Sequence, residues 1–290
     1  MNILSTFTAL LFALAVLQPL PALAQDVEIV RDVVYGHKDG MALTFDVLRP
    51  DDENGAGVLY MVSGGWVSSY SPPEQMAERF AGLLDRGFTV FVVRHGSSPK
   101  YLIPEIIGDV RRAVRYIRYN AEEWDVDPER LGAFGGSAGG HLSLMLATAP
   151  SPGDPSANEE FMRSDNRIAS VVAYYPPVDL RTWARGLNAP PPADGQPQRF
   201  PALNFEREVA PDYSPIVHLT PDDPPTLLIH GDADDLVPIS HSERMYAALQ
   251  EARVRSQYIV LPGAGHGFRG EDATKATAAM IDWFAQTLDP

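Results

Sequence analysis

The chain has 290 residues, a formal net charge of −15 and no cysteine. This length is enough for one large hydrophobic core or two small ones. The acidity argues against nucleic acid or an anionic membrane as a partner, and the lack of cysteine excludes disulfides, thiol catalysis and thiolate metal sites.

The first 24 residues have the pattern of a secretory signal peptide. An uncharged apolar stretch runs from about Phe7 to Leu17, and a segment of small residues ends in "ALA" at positions 22–24. This order predicts that residues 1–24 are removed and that the protein is secreted or periplasmic. An uncleaved anchor is the alternative, but a spanning helix needs about 20 apolar residues and this run is shorter. The pattern departs from a signal peptide in lacking a Lys or Arg at its start.

Two alternating stretches follow, "VEIVRDVVY" and "MALTFDVLRP", separated by the turn sequence "GHKDG". Apolar and polar residues that alternate on both sides of a turn predict an antiparallel β-hairpin. The next apolar run, "VLYMV", is continuous, which is typical of a strand buried on both faces of a sheet.

From there, helical and strand patterns alternate to the end of the chain. Helices are predicted in "SPPEQMAERFAGLLDRG", "PEIIGDVRRAVRYIRYN", "AGGHLSLMLATA", "SERMYAALQEA" and "TKATAAMIDWFAQTL". Strands are predicted in "FTVFVVRH", "RLGAFGG", "RIASVVAYY", "PPTLLIHG" and "RSQYIVLPG". The alternation predicts an α/β fold with a mostly parallel central sheet, flanking helices and an antiparallel N-terminal hairpin. We expect residues 25–290 to form a single domain.

One long irregular segment, residues 181–224, interrupts this alternation and is dense in proline. Long loops inside a compact domain are commonly functional, so we predict a lid over the carboxyl edge of the sheet. A disordered surface insertion is the alternative.

The sequence "GAFGGSAGGHL" places Ser137 between Gly135 and Gly139, at the junction of a predicted strand and a predicted helix. A nucleophilic serine needs a sharp, strained turn that exposes its hydroxyl, and side chains two residues to either side would collide there. The helix that follows directs its N-terminus at the serine, so the Ala138 N–H is a candidate donor to an oxyanion. A glycine-rich connection without catalytic function is the alternative.

Candidate partners for the serine follow two later strands. The loop "GDADDLVP" offers Asp232, Asp234 and Asp235, and "GAGHGF" offers His266. A serine needs a base that is held by a carboxylate, and the order Ser, Asp, His with each member after a strand is that of α/β-hydrolases. His230, at the end of the preceding strand, is expected to form a hydrogen bond in the acid loop.

The chain resembles the esterase/lipase branch of the α/β-hydrolases, near acetyl-esterase and feruloyl-esterase-like enzymes and the catalytic domains of prolyl oligopeptidases. The stretches that carry this resemblance are "DPERLGAFGGSAGGHLSLMLAT", "DDPPTLLIHGDADDLVPISHSERMYAAL" and "LPGAGHGF", within residues 30–288. The family pattern H-G-x-x-D-x-x-V-P matches "HGDADDLVP", which implies that Asp234 is the acid of the triad. The segment "VRHGSSPKY" departs from the arginine-leucine-proline type of sequence in these enzymes, so the substrate class is not carried over.

The sequence "YMVSGGWVSSY" places Gly64 and Gly65 directly after a buried strand. In this fold, the loop after an early strand supplies the second oxyanion donor, usually from an "HGGG"-type motif. We therefore predict an oxyanion hole formed by the backbone N–H groups of Gly64, Gly65 and Ala138. Ser63 stands where these enzymes usually have a histidine, which questions the anchoring of the loop but not its backbone donors.

The substrate pocket is assigned to Trp66 and His141, and Trp183 is a further aromatic candidate. The alternative is that His141 packs behind the serine and that the tryptophans belong to the edge of the core. The remaining histidines, at positions 37, 95, 218 and 241, have no ligand spacing with carboxylates, so no metal and no cofactor are predicted.

Together these residues predict a serine hydrolase of carboxylic esters with short-chain or aromatic acyl groups. Its substrate is expected to be a small-molecule or polysaccharide-linked ester, with no nucleic acid or membrane as a partner. One alternative is an oligopeptidase-like or aminopeptidase-like serine peptidase, and another is a catalytically silent binding protein with a hydrolase fold. A thioesterase or a lyase with the same triad also remains open.

Overall fold

The computed structural model describes residues 27–181 and 200–288. The predicted signal peptide, Trp183 and residues 182–199 of the predicted lid lie outside the described residues. In the described part of the chain, no helix is long and apolar enough to cross a membrane.

Within these ranges, eight strands form one sheet in the order β1-β2-β4-β3-β5-β6-β7-β8. The strands are β1 (Val27–Lys38), β2 (Met41–Pro50), β3 (Gly57–Met61), β4 (Thr89–Val93), β5 (Leu131–Gly136), β6 (Ser170–Tyr174), β7 (Thr226–Gly231) and β8 (Ser256–Leu261). Strand β2 pairs antiparallel with β1 and with β4, and all other pairs are parallel. The predicted α/β fold, with a mostly parallel sheet and an antiparallel N-terminal hairpin, is confirmed.

The helices of the described residues lie on both faces of this sheet. They are α1 (Pro73–Arg79), α2 (Ala81–Leu84), α3 (Ile103–Tyr119), α4 (Ala138–Thr148), α5 (Ser240–Glu251) and α6 (Gly270–Thr287). Short 3-10 segments cover Ala121–Trp124, Glu160–Arg163, Pro201–Leu203, Arg207–Tyr213 and Pro215–Val217. Three of the short segments belong to the region predicted as a lid.

The sheet separates two apolar layers. Helices α3, α4 and α5 contribute to one layer, and α1, α2 and α6 contribute to the other. Along β4, Phe91 and Val93 belong to the first layer, whereas Val90 and Val92 belong to the second. Successive side chains of a strand point to opposite faces, so a strand covered on both sides has to be apolar throughout.

The predicted helix over "SPPEQMAERFAGLLDRG" is broken in the structure. Phe80 lies between α1 and α2 with φ −104° and ψ 16°, outside the helical region. Its ring packs edge-on against Tyr60 and Phe134 of the sheet, at centroid distances of 4.9 and 5.5 Å. The apolar stripe of this segment is buried as expected, but the contact of Phe80 with the sheet accompanies an interruption that periodicity does not reveal.

The carboxyl ends of the parallel strands meet at one edge of the sheet. The loops after β3, β5, β7 and β8 leave from this edge, and they contain residues 63–66, Ser137, Asp234 and His266 respectively. The topology therefore gathers the sequence-predicted site residues at one place.

Candidate active site

Ser137 occupies the turn between β5 and α4 with φ 54° and ψ −119°, a conformation that residues with side chains rarely adopt. A Cβ atom on Gly135 would lie 2.5 Å from the carbonyl carbon of Gly139, and one on Gly139 would lie 2.7 Å from the Met61 oxygen. Both contacts are shorter than packed atoms allow, so this turn requires the two glycines that the sequence offers. The Ser137 N–H donates a 2.9 Å hydrogen bond to the Tyr174 carbonyl, which fixes the turn on β6.

Asp234 and His266 meet across two loops. The distance between His266 Nδ1 and Asp234 Oδ2 is 2.8 Å, and Asp234 Oδ1 accepts the N–H groups of Leu236 and Val237 at 2.9 Å each. Asp232 instead accepts the Gly263 N–H at 2.6 Å, and Asp235 is exposed. Of the three carboxylates that the residues alone left open, the structure brings Asp234 to the histidine.

The acid loop holds Asp234 in its ionised form. Burial opposes the charge, but hydrogen bonds from His230, His266 and the Val237 N–H outweigh it and lower the pKa of Asp234 well below its ordinary value. His230 Nε2 lies 3.3 Å from Asp234 Oδ2 and 2.9 Å from the Val237 oxygen. The expected hydrogen bonding of His230 in this loop is confirmed, and a carboxylate is available to orient His266.

Ser137 and His266 line the same cavity, which has a volume of about 520 Å³. Aromatic rings form much of its wall, contributed by Tyr60, Phe80, Phe134, Tyr174, Tyr175 and Phe200. A cavity of this size, with aromatic rings in its wall and polar groups at a few positions, is typical of a small-molecule site.

Tyr175 is a site residue that the sequence reasoning missed. Its ring centroid lies 4.6 Å from that of His266, and burial raises the pKa of its hydroxyl to about 12. Its backbone has φ 38°, which turns the chain away from the end of β6. The available signal was its position, since it follows a strand at the same edge as Ser137.

The glycine loop after β3 is a tight turn. The Gly64 N–H donates to the Val67 carbonyl at 2.9 Å, and the Val67 N–H donates back at 3.1 Å. Gly65 and Trp66, the two central residues, both have positive φ, of 59° and 61°. This pattern of positive φ is that of a type I′ turn, in which glycine is favoured.

The turn corrects one predicted oxyanion donor. The Gly64 N–H is used within the turn, so the prediction that it faces an oxyanion is wrong. Among the described residues, the N–H groups of Gly65 and Ala138 have no acceptor. The Gly139 N–H donates to the Ser63 carbonyl at 3.2 Å, and this backbone bond ties the loop to the serine turn. The loop is therefore anchored by backbone where related enzymes have a histidine.

The pocket assignments of Trp66 and His141 are wrong. Trp66 is 1% exposed and His141 is completely buried, and neither lines the cavity that contains Ser137. Trp66 Nε1 donates to His141 Nδ1 at 3.3 Å, while His141 Nε2 donates to the Tyr213 carbonyl at 2.8 Å. Burial lowers the pKa of His141 to about 4, so the imidazole is neutral and serves packing behind the serine turn.

A second, larger cavity of about 760 Å³ lies at the opposite end of the sheet. Its lining includes the residues before β6 and β7 and the end of α4, and it contains none of Ser137, Asp234 and His266. In residues 27–181 and 200–288, no three His, Asp or Glu side chains are grouped so that they could hold a metal ion. The smaller cavity therefore contains the candidate nucleophile and base, although the other cavity has the larger volume.

Ser137, Asp234 and His266 stand in loops at one edge of this sheet, which is the arrangement of an α/β-hydrolase. Solved esterase structures share the fold. The chain belongs to the BD-FAE family, whose model matches residues 45–249. The model of the dienelactone hydrolase family matches residues 211–288.

Two curated proteins of Mycobacterium tuberculosis are similar to the chain. It is 28% identical over 270 residues to the probable carboxylic ester hydrolase LipM. This match covers 87% of the chain and 60% of LipM. It is 32% identical over 256 residues to the esterase LipC. This match covers 82% of the chain and 59% of LipC. The chain thus spans about three fifths of the length of these relatives.

Two solved structures share the fold. A truncated form of a carbohydrate esterase from gut microbiota matches 93% of this chain and 99% of its own, with a TM-score of 0.75 and 26% identity. Thermogutta terrifontis esterase 2 phosphorylated by paraoxon matches 91% of this chain and 94% of its own, with a TM-score of 0.68 and 25% identity.

Proposed function

We propose that the protein hydrolyses carboxylic esters with Ser137 as nucleophile, His266 as base and Asp234 as the acid that orients the histidine. The observation that carries this proposal is the shared cavity: Ser137 sits there on a strained turn, beside a histidine whose Nδ1 lies 2.8 Å from a buried carboxylate. The resemblance to LipM, LipC and the esterase structures supports an ester as the substrate.

The reaction follows from the roles of these groups. His266 takes the proton from Ser137 Oγ as this oxygen attacks the acyl carbon, and the N–H groups of Gly65 and Ala138 donate to the oxyanion. His266 then gives the proton to the leaving oxygen, and the alcohol departs from the acyl-enzyme. Water, deprotonated by His266, attacks the acyl carbon, releases the carboxylic acid and restores Ser137.

The substrate that we propose has a short-chain or aromatic acyl group. The cavity volume of about 520 Å³ and its aromatic wall support this size and chemistry. The carbohydrate esterase among the solved structures supports a polysaccharide-linked or related small ester. We further propose that the protein acts outside the cytoplasm, on the basis of the signal-peptide pattern in residues 1–24.

The proposal is tested by initial rates on p-nitrophenyl esters of rising acyl length, methyl ferulate and an aminoacyl p-nitroanilide. We expect turnover of the esters, greatest for the short chains, and a loss of about 10⁴-fold or more in Ser137→Ala. Ser156→Ala is the matched control, since this exposed serine lies in the loop after α4, away from the cavity.

Paraoxon labelling distinguishes a serine hydrolase from a binding protein, because a related esterase is phosphorylated by this compound. We expect one covalent adduct on Ser137 by mass spectrometry, in the parent protein and in Ser156→Ala but not in Ser137→Ala. Turnover of the anilide without the esters would instead assign a peptidase. A folded protein with neither turnover nor an adduct would be a binding protein, and the proposal would fail.

A further inference from the structure

The cavity that contains Ser137 differs in charge from the rest of the protein. The whole chain has a formal net charge of −15, yet the lining of this cavity includes no aspartate and no glutamate among the described residues. It does include one arginine, Arg79, at the end of α1. A cavity whose lining includes a cationic side chain and no carboxylate is electrostatically suited to an anionic ligand.

Two aromatic rings lie beside the guanidinium of Arg79, which is an exposed residue at the edge of the cavity. Its carbon Cζ lies 5.1 Å from the ring centroid of Tyr60 and 5.5 Å from that of Phe80. These two rings pack edge to face at 4.9 Å, and Phe134 supports both at 5.1 and 5.5 Å. A cation over such a platform gains cation–π stabilisation while its N–H groups remain available as donors.

The N–H groups of Arg79 have no acceptor within residues 27–181 and 200–288. Arg79 has no hydrogen bond and no ion pair to any residue in the described ranges. By contrast, Arg94, at the carboxyl end of the neighbouring strand β4, is paired with Asp46 and Asp32. A guanidinium presents its donors in a planar fork that matches a carboxylate, so Arg79 is an available partner for one.

We propose that Arg79 forms an anion subsite and that the ester cleaved at Ser137 carries a carboxylate. This inference rests on the proposed esterase function. A cavity of about 520 Å³ accommodates one small molecule that extends from Ser137 to Arg79. The carboxylate belongs either to the acyl part or to the alcohol part of the ester, and it is bound without taking part in any bond cleavage.

The test uses two pairs of esters that differ only in charge. For the alcohol part, 4-acetoxybenzoate is compared with 4-acetoxybenzamide. For the acyl part, the p-nitrophenyl monoester of adipate is compared with its terminal amide. We expect the parent protein to prefer the carboxylate in one pair, and Arg79→Gln to lower this preference in kcat/KM about tenfold. Arg79→Lys should restore part of it, and the preference should weaken as the salt concentration rises.

Arg253→Gln is the matched control. Arg253 is exposed in the turn before β8, at the opposite end of the sheet, and its replacement changes the net charge by the same amount. Arg253→Gln should cleave both members of each pair at the parent rates. The preference is a ratio of kcat/KM within one variant, so a general change in the activity of Arg79→Gln does not alter it. An equal preference in the parent protein and in Arg79→Gln, for both pairs, would overturn the inference and leave the esterase proposal standing.

A binding measurement keeps the two proposals apart. If no ester were cleaved, the esterase proposal would fail, but Ser137→Ala could still be titrated calorimetrically with 4-acetoxybenzoate and with its amide. Tighter binding of the carboxylate that disappears in Ser137→Ala/Arg79→Gln would support the anion subsite. Equal binding of the two compounds would overturn it.

Discussion

Two buried carboxylates follow neighbouring strands of the sheet, and they serve different ends. Asp179 lies in the loop after β6 and is 1% exposed, while Asp234 lies in the loop after β7 and is 9% exposed. Burial opposes ionisation of Asp179, but hydrogen bonds and charges from Arg181 and Arg244 lower its pKa to about 2. The pKa of Asp234 is also lowered, by hydrogen bonds from two histidines and the backbone.

The partners decide what each carboxylate can do. Arg181 and Arg244 approach Asp179 at 2.9 Å, and a guanidinium stays charged at all relevant pH values. His266, the partner of Asp234, can take up and release a proton, and it reaches a cavity that Asp179 does not line. A lowered pKa therefore does not mark an active site by itself. It does so where the partner can change its protonation state next to a cavity.

The largest effect is expected on the rate of ester hydrolysis, when Asp234 is replaced. We expect Asp234→Asn to lower kcat by about 10³- to 10⁴-fold, because an amide cannot stabilise the imidazolium and favours the wrong tautomer of His266. Initial rates on a p-nitrophenyl ester measure this effect. Asp235→Asn, in the same loop but exposed, is the control and should stay close to the parent rate. Equal losses in the two variants would contradict the assignment of the acid.

On the structural side, Asp179→Asn should mainly affect stability. The substitution removes charge-assisted hydrogen bonds to two arginines, so we expect the free energy of unfolding to fall by about 2 kcal/mol. Urea denaturation at pH 7 measures it. The rate of ester hydrolysis should change little. A loss of activity comparable with that of Asp234→Asn would contradict the purely structural role of Asp179.

The stabilisation by Asp179 should depend on pH with a defined sign. Its pKa in the folded protein is about 2, below the value of about 3.9 for an unfolded aspartate. The folded state therefore binds the proton more weakly, and the stabilisation is complete above about pH 4 and is lost as the pH falls through about 2. Denaturation curves of the parent protein and Asp179→Asn should converge over this range. A difference that persists unchanged down to pH 2 would refute this account.

The smallest effect concerns two adjacent glycines that look alike in sequence but differ in their partners. Gly65 has φ 59°, and a Cβ there would lie 3.4 Å from the Phe200 ring, so we expect Gly65→Ala to lower kcat/KM about fivefold. For Gly64, whose N–H is used within the turn, a Cβ would meet nothing within 4 Å, and the loss should be about twofold or less. The reverse order would restore Gly64 as the donor.

Much of the site could be predicted because its residues have local requirements. Gly135 and Gly139 stand two residues from Ser137, and the structure shows that a side chain at either position would collide with backbone. The position of each candidate after a strand was also readable, since parallel strands bring their carboxyl ends to one edge. The choice of Asp234 over its neighbours came from a family pattern, and the hydrogen bond to His266 agrees with it.

Other features could not be predicted, because they depend on residues distant in sequence. The sequence offers Trp66 as an aromatic residue for the pocket and His141 as a residue one helical turn after Ser137, yet the two side chains are buried and bond to one another. Tyr175 follows β6 and Arg79 ends α1, and the two residues line one cavity only after the chain has folded.

The succession of strands and helices along the chain, the strained serine turn and the loops that hold the acid and the histidine could all be inferred from the amino-acid sequence. Hydrophobic periodicity and the steric need for glycine in a tight turn involve only a few neighbouring residues, so they can be recognised in the sequence. Tertiary structure alone decided which side chains face the cavity, which N–H groups of the oxyanion loop are available and which carboxylate is paired with arginine. These outcomes depend on hydrogen bonds and contacts between segments that only folding brings together.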